Sequence, residues 1–320
     1  MSAASARTVT TELLKTLPLV EHGADSSKAD RGKLLIVAGS ARLPGTAILA
    51  ARAALRVGCG TVRVAAPAGV ATLIGIAVPE LMVVPLPETS SGTTSLAALK
   101  MLEEQYRSCD AALVGPGLGE HEETDMVARR LVEGIPLPLV VDAQALLALA
   151  PMAPGKRAPA PSSRIFTPHV GEMAALSGIS ADAVEADREG IASRFAGQWE
   201  TILLLKGRET LIVSPPARDD QAASLYRNTS GAPGLGTAGS GDVLAGVIGG
   251  LLAQGNEPTA AAVWGVHLHA LAGEAASGDE GDDGMIASDV VDRLPRALRA
   301  VRLAPRTRML RASRGLTSLP

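Results

Sequence analysis

Short β-branched runs alternate with longer Ala/Leu-rich amphipathic runs along most of the chain. This alternation restricts the fold more than any other feature of the sequence. Strands are expected at residues 34–37, 61–65, 81–84, 111–114, 139–142, 164–167, 201–205 and 210–213. Helices are expected at 46–57, 95–106, 122–133, 171–176 and 182–199. Near-continuous apolar strands such as Leu139-Val140-Val141 suit a sheet covered on both faces. Strands alternating with helices imply βαβ units with right-handed crossovers. The expected fold class is therefore α/β, a central mostly parallel sheet with helices on both faces. The stretch from Val64 to Val78 is broken by Pro67, Gly69 and Thr72, so it reads as strand, turn and helix rather than a membrane span, which needs about 20 apolar residues.

The last third changes character. Residues 240–254, 259–276 and 287–301 read as three helices in succession, with an acidic Gly-rich turn at 277–284. No linker separates them from the βα region, so residues 28–302 are taken as one domain. Residues 1–27 then form an N-terminal extension, residues 151–163 a surface loop and residues 303–320 a mobile basic tail.

Composition removes several function classes. The net charge is −3 and aromatics are 2 % of the chain, so neither a basic nucleic-acid face nor a base-stacking platform is available. Two cysteines, Cys59 and Cys109, cannot build a disulfide framework or a four-cysteine zinc site, and they read as small core residues of a cytoplasmic protein. The polar N-terminus has no apolar signal core, and no membrane association is expected.

In an open parallel sheet, ligands bind at the carboxyl ends of the strands. Five unusual clusters fall there: Gly39-Ser40, Gly115-Pro-Gly-Leu-Gly119, Asp142, Thr167-Pro-His-Val-Gly-Glu172 and Lys206-Gly207. The strongest motif is the Gly-rich segment from Asn228 to Asp242, which runs straight into a helix. Glycines let backbone N–H groups converge on an anion, and the helix turns its positive end to the same place. Gly239, Ser240 and Gly241 are thus a candidate phosphate cradle. Asp242 is either an ordinary helix cap or a general base, and the long Gly-rich lead-in favours the base. The helix dipole would keep Asp242 ionised, whereas burial would oppose ionisation. The segment is not a Walker A loop, because the lysine that should follow the glycines is missing. His169 would reach a ligand phosphate or ribose, or stand as a plain turn residue. Lys206 would meet a nucleotide phosphate or remain solvated. His267 and His269 lie two residues apart, lack zinc-site spacing and read as structural.

Taken in order, these motifs resemble the ADP-dependent NAD(P)H-hydrate dehydratases, the carbohydrate-kinase-like domain of the YjeF family. The resemblance rests on Lys28 to Ser40, Pro44-Gly45, Pro79-Glu80, Gly115–Gly119, Val141-Asp142-Ala143, Thr167–Glu172, Leu205-Lys206-Gly207 with Thr210, and Asn228–Asp242. It implies a ribokinase-like fold and repair of the hydrates NADHX and NADPHX with ADP, giving AMP and phosphate. It further implies hydrate contacts at Thr46, Ala47, Gly119, His169 and Asp242. ADP or AMP contacts are implied at Lys206, Gly207, Arg208, Glu209, Thr210 and Gly241. Mg²⁺ is expected with the diphosphate, with no metal-ligand residues assigned, and relatives suggest a homo-oligomer. With only residues 1–27 ahead of the matched region, an N-terminal epimerase domain is not expected. The competing reading is an ATP-dependent kinase of the same fold acting on a vitamin precursor or sugar, which would use the same anion cradle and the same aspartate.

Overall fold

The computed structural model describes residues 6–23, 25–150, 163–215 and 223–303. Its frame is one ten-stranded sheet. The strands are β1 (Arg7–Thr8), β2 (Lys33–Val37), β3 (Thr61–Pro67), β4 (Met82–Leu86), β5 (Ala111–Val114), β6 (Leu139–Val141), β7 (Arg164–Phe166), β8 (Ile202–Leu205), β9 (Thr210–Ser214) and β10 (Ser224–Asn228). Their spatial order is β1-β10-β9-β8-β7-β6-β5-β2-β3-β4. From β4 to β8 every pairing is parallel, while β9 runs antiparallel to both β8 and β10. The order reverses direction between β2 and β5, which is the switch point where open α/β sheets bind ligands.

The helices are α1 (Thr11–Leu14), α2 (Pro44–Arg56), α3 (Ala68–Ala77), α4 (Leu99–Tyr106), α5 (Glu122–Gly134), α6 (Gln144–Leu149), α7 (Val170–Ser177), α8 (Ala181–Ala186), α9 (Arg188–Gln198), α10 (Ser240–Ala253), α11 (Pro258–Glu280) and α12 (Ala287–Leu303). The strand pleat divides the core between two layers. Leu34 and Ile36 of β2, with Leu113, Val140 and Ile165, point to the side of α2, α10, α11 and α12. Leu35 and Val37, with Ala112, Val114, Val141 and Phe166, point to the side of α4 to α7 and α9. Burial on both faces explains why β5, β6 and β8 carry no polar residue. Helices α2 and α10 lie unusually close. A Cβ on Gly246 would collide with the carbonyl of Ala50, and one on Gly250 would stand 2.8 Å from Ala54 Cα.

The sequence expectations hold for the eight strands, with end shifts, and fail at particular places. Residues 182–199 do not form one helix. The chain breaks at Asp187, whose carboxylate caps α9 by accepting from Gly190 N at 3.0 Å. Residues 277–280 continue α11 instead of opening a turn. Helices α1 and α6 and strands β1 and β10 were not expected. β1 lies within the stretch read as an extension and pairs with β10, and Trp264 Nε1 donates to Leu17 O at 2.7 Å from the far side of the chain. The expected loop at 151–163 and the tail at 303–320 fall, except for their residues 163 and 303, outside the described residues.

Candidate active site

Strand order places the carboxyl-end clusters side by side. Gly39 N donates to Pro116 O at 2.8 Å, and a Cβ on Gly115 would collide with the Asp142 carbonyl. Thr167 Oγ1 donates to Asp142 Oδ1 at 2.6 Å, and Lys206 N donates to Pro168 O at 2.8 Å. The five clusters therefore form one continuous rim. The Gly-rich segment arrives from β10 and delivers α10 to this rim.

At the head of α10 the chain makes a left-handed turn at Gly239, with φ of 87°. A side chain there would also press on Leu49 Cδ1 at 2.5 Å, so both conformation and packing require glycine. The amides of the first helical turn have no partner within the helix. Ser240 N spends its proton on Thr237 O at 3.4 Å, which leaves Gly241 and Asp242 as the first-turn amides open to an anion. A Cβ on Gly241 would meet only the ammonium of Lys206, at 3.5 Å. Amides, helix end and lysine thus converge on one position, an arrangement suited to a phosphate group.

The charges beneath this position are unbalanced. Lys206 Nζ donates to Asp142 Oδ1 at 3.0 Å and lies 3.7 Å from Glu172 Oε2. Asp142 is 2 % exposed and Glu172 is 7 % exposed. Burial alone would lower the Lys206 pKa, but Asp142 and Glu172 together raise it above the ordinary lysine value, so the ammonium stays charged. Asp242 behaves oppositely. Burial, with added repulsion from Asp142 and Glu172 and partial relief from Lys206, raises its pKa to about 7. Burial is the largest cause, and Asp242 is a carboxylate poised to exchange a proton at neutral pH.

Two further supports hold the site, one from Arg188, which no motif marks, and one from α11, whose His267 and His269 have the structural role expected of them. Arg188, the first residue of α9, donates through Nη2 to the carbonyls of Leu205 (3.1 Å), Lys206 (3.3 Å) and Glu209 (3.0 Å), and so fixes the turn after β8. Helix α11 holds the Gly-rich segment: Glu274 Oε1 accepts from Gly231 N at 2.8 Å, and Asn228 Oδ1 meets His267 Nδ1 at 3.3 Å. At the segment's other end Ser240 Oγ meets His269 Nε2 at 3.1 Å. Only the packing of α9 and α11 shows which groups these side chains hold.

A cavity of about 940 Å³ opens over this arrangement. It brings together His169, Lys206, Gly207, Arg208, Thr210, Ser240 and Gly241. Glu209 does not line it and pairs with Arg227 Nη1 at 3.0 Å instead. His169 caps α7, with Nδ1 accepting from Gly171 N at 3.0 Å and Glu172 N at 3.3 Å, so only its Nε2 edge is left for a ligand. Thr46 and Gly119 lie along the rim at the β2/β5 switch point rather than on the cavity. Thr46 Oγ1 donates to Leu43 O at 2.8 Å, and a Cβ on Gly119 would stand 2.8 Å from Thr93 Cγ2. Ala47 is 0 % exposed and packs beneath Gly39, so its methyl group belongs to the core. Among the described residues no three His, Cys, Asp or Glu side chains converge as a metal cage.

An open, mostly parallel sheet with a glycine turn entering a helix at its carboxyl edge, a half-buried carboxylate in that turn and a lysine from the neighbouring strand end defines a ribokinase-like fold. A ribokinase-like superfamily protein from Enterococcus faecalis has this fold, with a TM-score of 0.74 at 24 % identity over 92 % of this chain and 96 % of that one. The family model for NAD(P)H-hydrate dehydratase matches residues 34–296, and the chain belongs to that family. It is 38 % identical over 303 residues to an ADP-dependent (S)-NAD(P)H-hydrate dehydratase of Xanthomonas campestris, covering 92 % of this chain and all of that protein. It is 41 % identical over 284 residues to a bifunctional NAD(P)H-hydrate repair enzyme of Moorella thermoacetica, covering 88 % of this chain and 52 % of that protein. The chain thus spans about half the length of its bifunctional relatives. A crystal structure of the ADP/ATP-dependent NAD(P)H-hydrate dehydratase of Bacillus subtilis, co-crystallised with ATP and Mg²⁺, aligns with a TM-score of 0.78 at 26 % identity over 93 % of this chain and 100 % of that one.

Proposed function

We propose that this protein is an ADP-dependent (S)-NAD(P)H-hydrate dehydratase, returning NADHX and NADPHX to NADH and NADPH while ADP becomes AMP and phosphate. The observation that carries the reading is the placement of Asp242, a half-buried carboxylate with pKa about 7, in the same turn as the anion-binding amides and opposite Lys206. Hydroxide is a poor leaving group, and phosphorylation of the hydrate hydroxyl converts it to phosphate, a good one. Asp242 takes the hydroxyl proton as the oxygen attacks the β-phosphorus of ADP, and AMP departs. Phosphate then leaves with the ring C–O electron pair as the nitrogen lone pair forms an iminium, and loss of a proton from the adjacent ring carbon to the departing phosphate restores the ring double bond and returns the lone pair to nitrogen. The Gly241 and Asp242 amides and the Lys206 ammonium stabilise charge on the transferring group, an effect of positioning rather than covalent chemistry.

The ADP contacts are assigned to Lys206, Gly207, Arg208, Thr210 and Gly241, which share the cavity. The hydrate contacts are assigned to Thr46, Gly119, His169 and Asp242. Asp142 and Glu172 are already paired with Lys206, so Mg²⁺ would be held chiefly by the diphosphate oxygens, where it would supply charge neutralisation. Self-association belongs to the same reading, because Leu73 and Ile76 on α3 and Met82 on the edge strand β4 stand 60 %, 73 % and 50 % exposed. Among the described residues no helix is long and apolar enough to cross a membrane, and both cysteines are free buried thiols, which supports a cytoplasmic setting.

The test mixes purified protein with NADHX, Mg²⁺ and either ADP or ATP and follows the near-UV absorbance of reduced nicotinamide. A rise with ADP, matched by AMP release, is the expected result. A rise with ATP alone overturns the donor. No rise in folded, nucleotide-binding protein moves the small-molecule kinase reading to first place.

A further inference from the structure

We propose that His269 is a positioning residue of the anion-binding turn, whose Nε2–H donates to Ser240 Oγ and thereby aims the Ser240 hydroxyl proton into the cavity. Ser240 is 5 % exposed, His269 is 8 % exposed, and both border the cavity. Their contact of 3.1 Å is a hydrogen bond whose direction depends on the tautomer of the imidazole.

The direction matters because of what Ser240 has left to give. Its amide is already turned to Thr237 O, so its remaining donor is the hydroxyl. If His269 were protonated on Nδ1, its Nε2 would accept the Ser240 proton. The serine oxygen would then present lone pairs to a bound phosphate, which is repulsive. If His269 is protonated on Nε2, it donates to Ser240 Oγ and the hydroxyl proton is free for a phosphate oxygen.

Two observations select the second form. The ring also meets the Ser240 backbone carbonyl, which can only accept a hydrogen bond, and Nε2 is the ring nitrogen that faces Ser240, so the proton belongs on Nε2. The doubly protonated ring is also disfavoured, since burial, opposed by the Ser240 backbone carbonyl and aided by nearby Lys206, lowers the His269 pKa to about 4. The ring is therefore neutral at pH 7, and its polarity is carried by one proton on one nitrogen. His267, two residues away, meets Asn228 at the start of the same segment, so α11 grips both ends of the turn-forming loop.

The inference rests on the proposed dehydratase activity only for its kinetic arm. The first arm is independent of it: nitrogen-15 NMR of the histidine rings in the full-length protein, assigned with His269→Gln. The Nε2–H form is expected, and an Nδ1–H form overturns the proposal. The second arm measures inorganic phosphate binding. His269→Leu and Ser240→Ala should each weaken it by about 10-fold, and unchanged affinity in folded variants overturns the proposal.

The third arm is kinetic. His269→Leu and Ser240→Ala should each lower kcat by ~10- to 100-fold with the Mg–ADP dissociation constant held within about threefold, and the double variant should lose no more than either. His269→Gln keeps a donor near the ε position and should recover most of the loss. Multiplicative losses in the double variant, or no recovery by Gln, would assign His269 a merely structural role. If wild-type protein binds phosphate but never dehydrates NADHX, the function reading fails while the first two arms still decide this one.

Discussion

The two ends of the site rim are built differently. Around the carboxyl ends of β7 and β8 the molecule is open and charged: a cavity of about 940 Å³ lies over Lys206, with Asp142 and Glu172 beside it. Around the carboxyl ends of β2 and β5 it is tightly filled with small and hydroxylated residues. Ser40 is 1 % exposed, Ala47 is 0 % exposed, and Gly119 leaves no room for a methyl group against Thr93. The open end handles charge with amides and an ammonium, and the closed end handles shape with glycine. Asp242 belongs to the open end, where burial and the charges of Asp142 and Glu172 raise its pKa.

The largest expected effect strikes the open end. Asp242→Asn should reduce turnover by ~10³-fold or more while ADP binding, measured by calorimetry, changes little. The same variant should be more stable than the wild type at pH 8. Asp242 is raised from 3.8 to about 7 in the folded state, so the folded protein holds the extra proton between those values, and stability falls as pH rises through the window. Removing the charge relieves ~2 kcal/mol of that cost, read as a higher Tm. A lower Tm at pH 8 would contradict the burial argument.

Gly241→Val comes next. It has room in the fold, since its Cβ would meet only Lys206, yet it fills the anion position. ADP affinity should fall by ~100-fold or more with Tm nearly unchanged. Normal ADP affinity would remove the α10 turn from phosphate binding.

The pH profile should be sensitive to the neighbours of Asp242. With Asp242 as base, kcat/KM falls as pH drops through about 7. Asp142→Asn removes a raising charge and should move this limb to lower pH, whereas Lys206→Met removes a lowering one and should move it higher. A limb that stays put in both variants would belong to another group.

Smaller effects separate support from contact. Arg188→Ala loosens three carbonyls of the β8 turn and should raise the KM for ADP by ~5- to 10-fold with kcat little altered. At the closed end, Gly119→Ala should leave ADP binding intact and raise the KM for the hydrate by a few-fold, because the added methyl presses on Thr93 at a φ of +78°. If it disturbed ADP instead, the division between the two ends would be wrong.

The parallel sheet was readable because its strands are apolar on both faces and bounded by glycine and proline. β1 was not readable: two residues, Arg7 and Thr8, pair with β10 without any apolar signal. The break at Asp187 was hidden for a related reason, since a capping carboxylate inside a polar helical stretch looks like one more exposed acid. In the site, glycines and Asp242 announced themselves by spacing. Arg188 and His269 act on groups distant in sequence, and Ala47 sits in a motif region although its side chain belongs to the core. Local pattern shows which residues begin a helix or a turn, whereas burial and long-range pairing come from the assembled layers.

The close seating of α10 on α2 has a consequence for how this site can change. Gly246 and Gly250 let the backbone of one helix rest on the backbone of Ala50 and Ala54 of the other. The two helices therefore travel as one body, and the distance between Thr46 at the start of α2 and Gly241 at the start of α10 is a fixed gauge. Adaptation to a longer or bulkier substrate must come from the loops that follow β5, β7 and β8, while the span between these two helix starts stays constant.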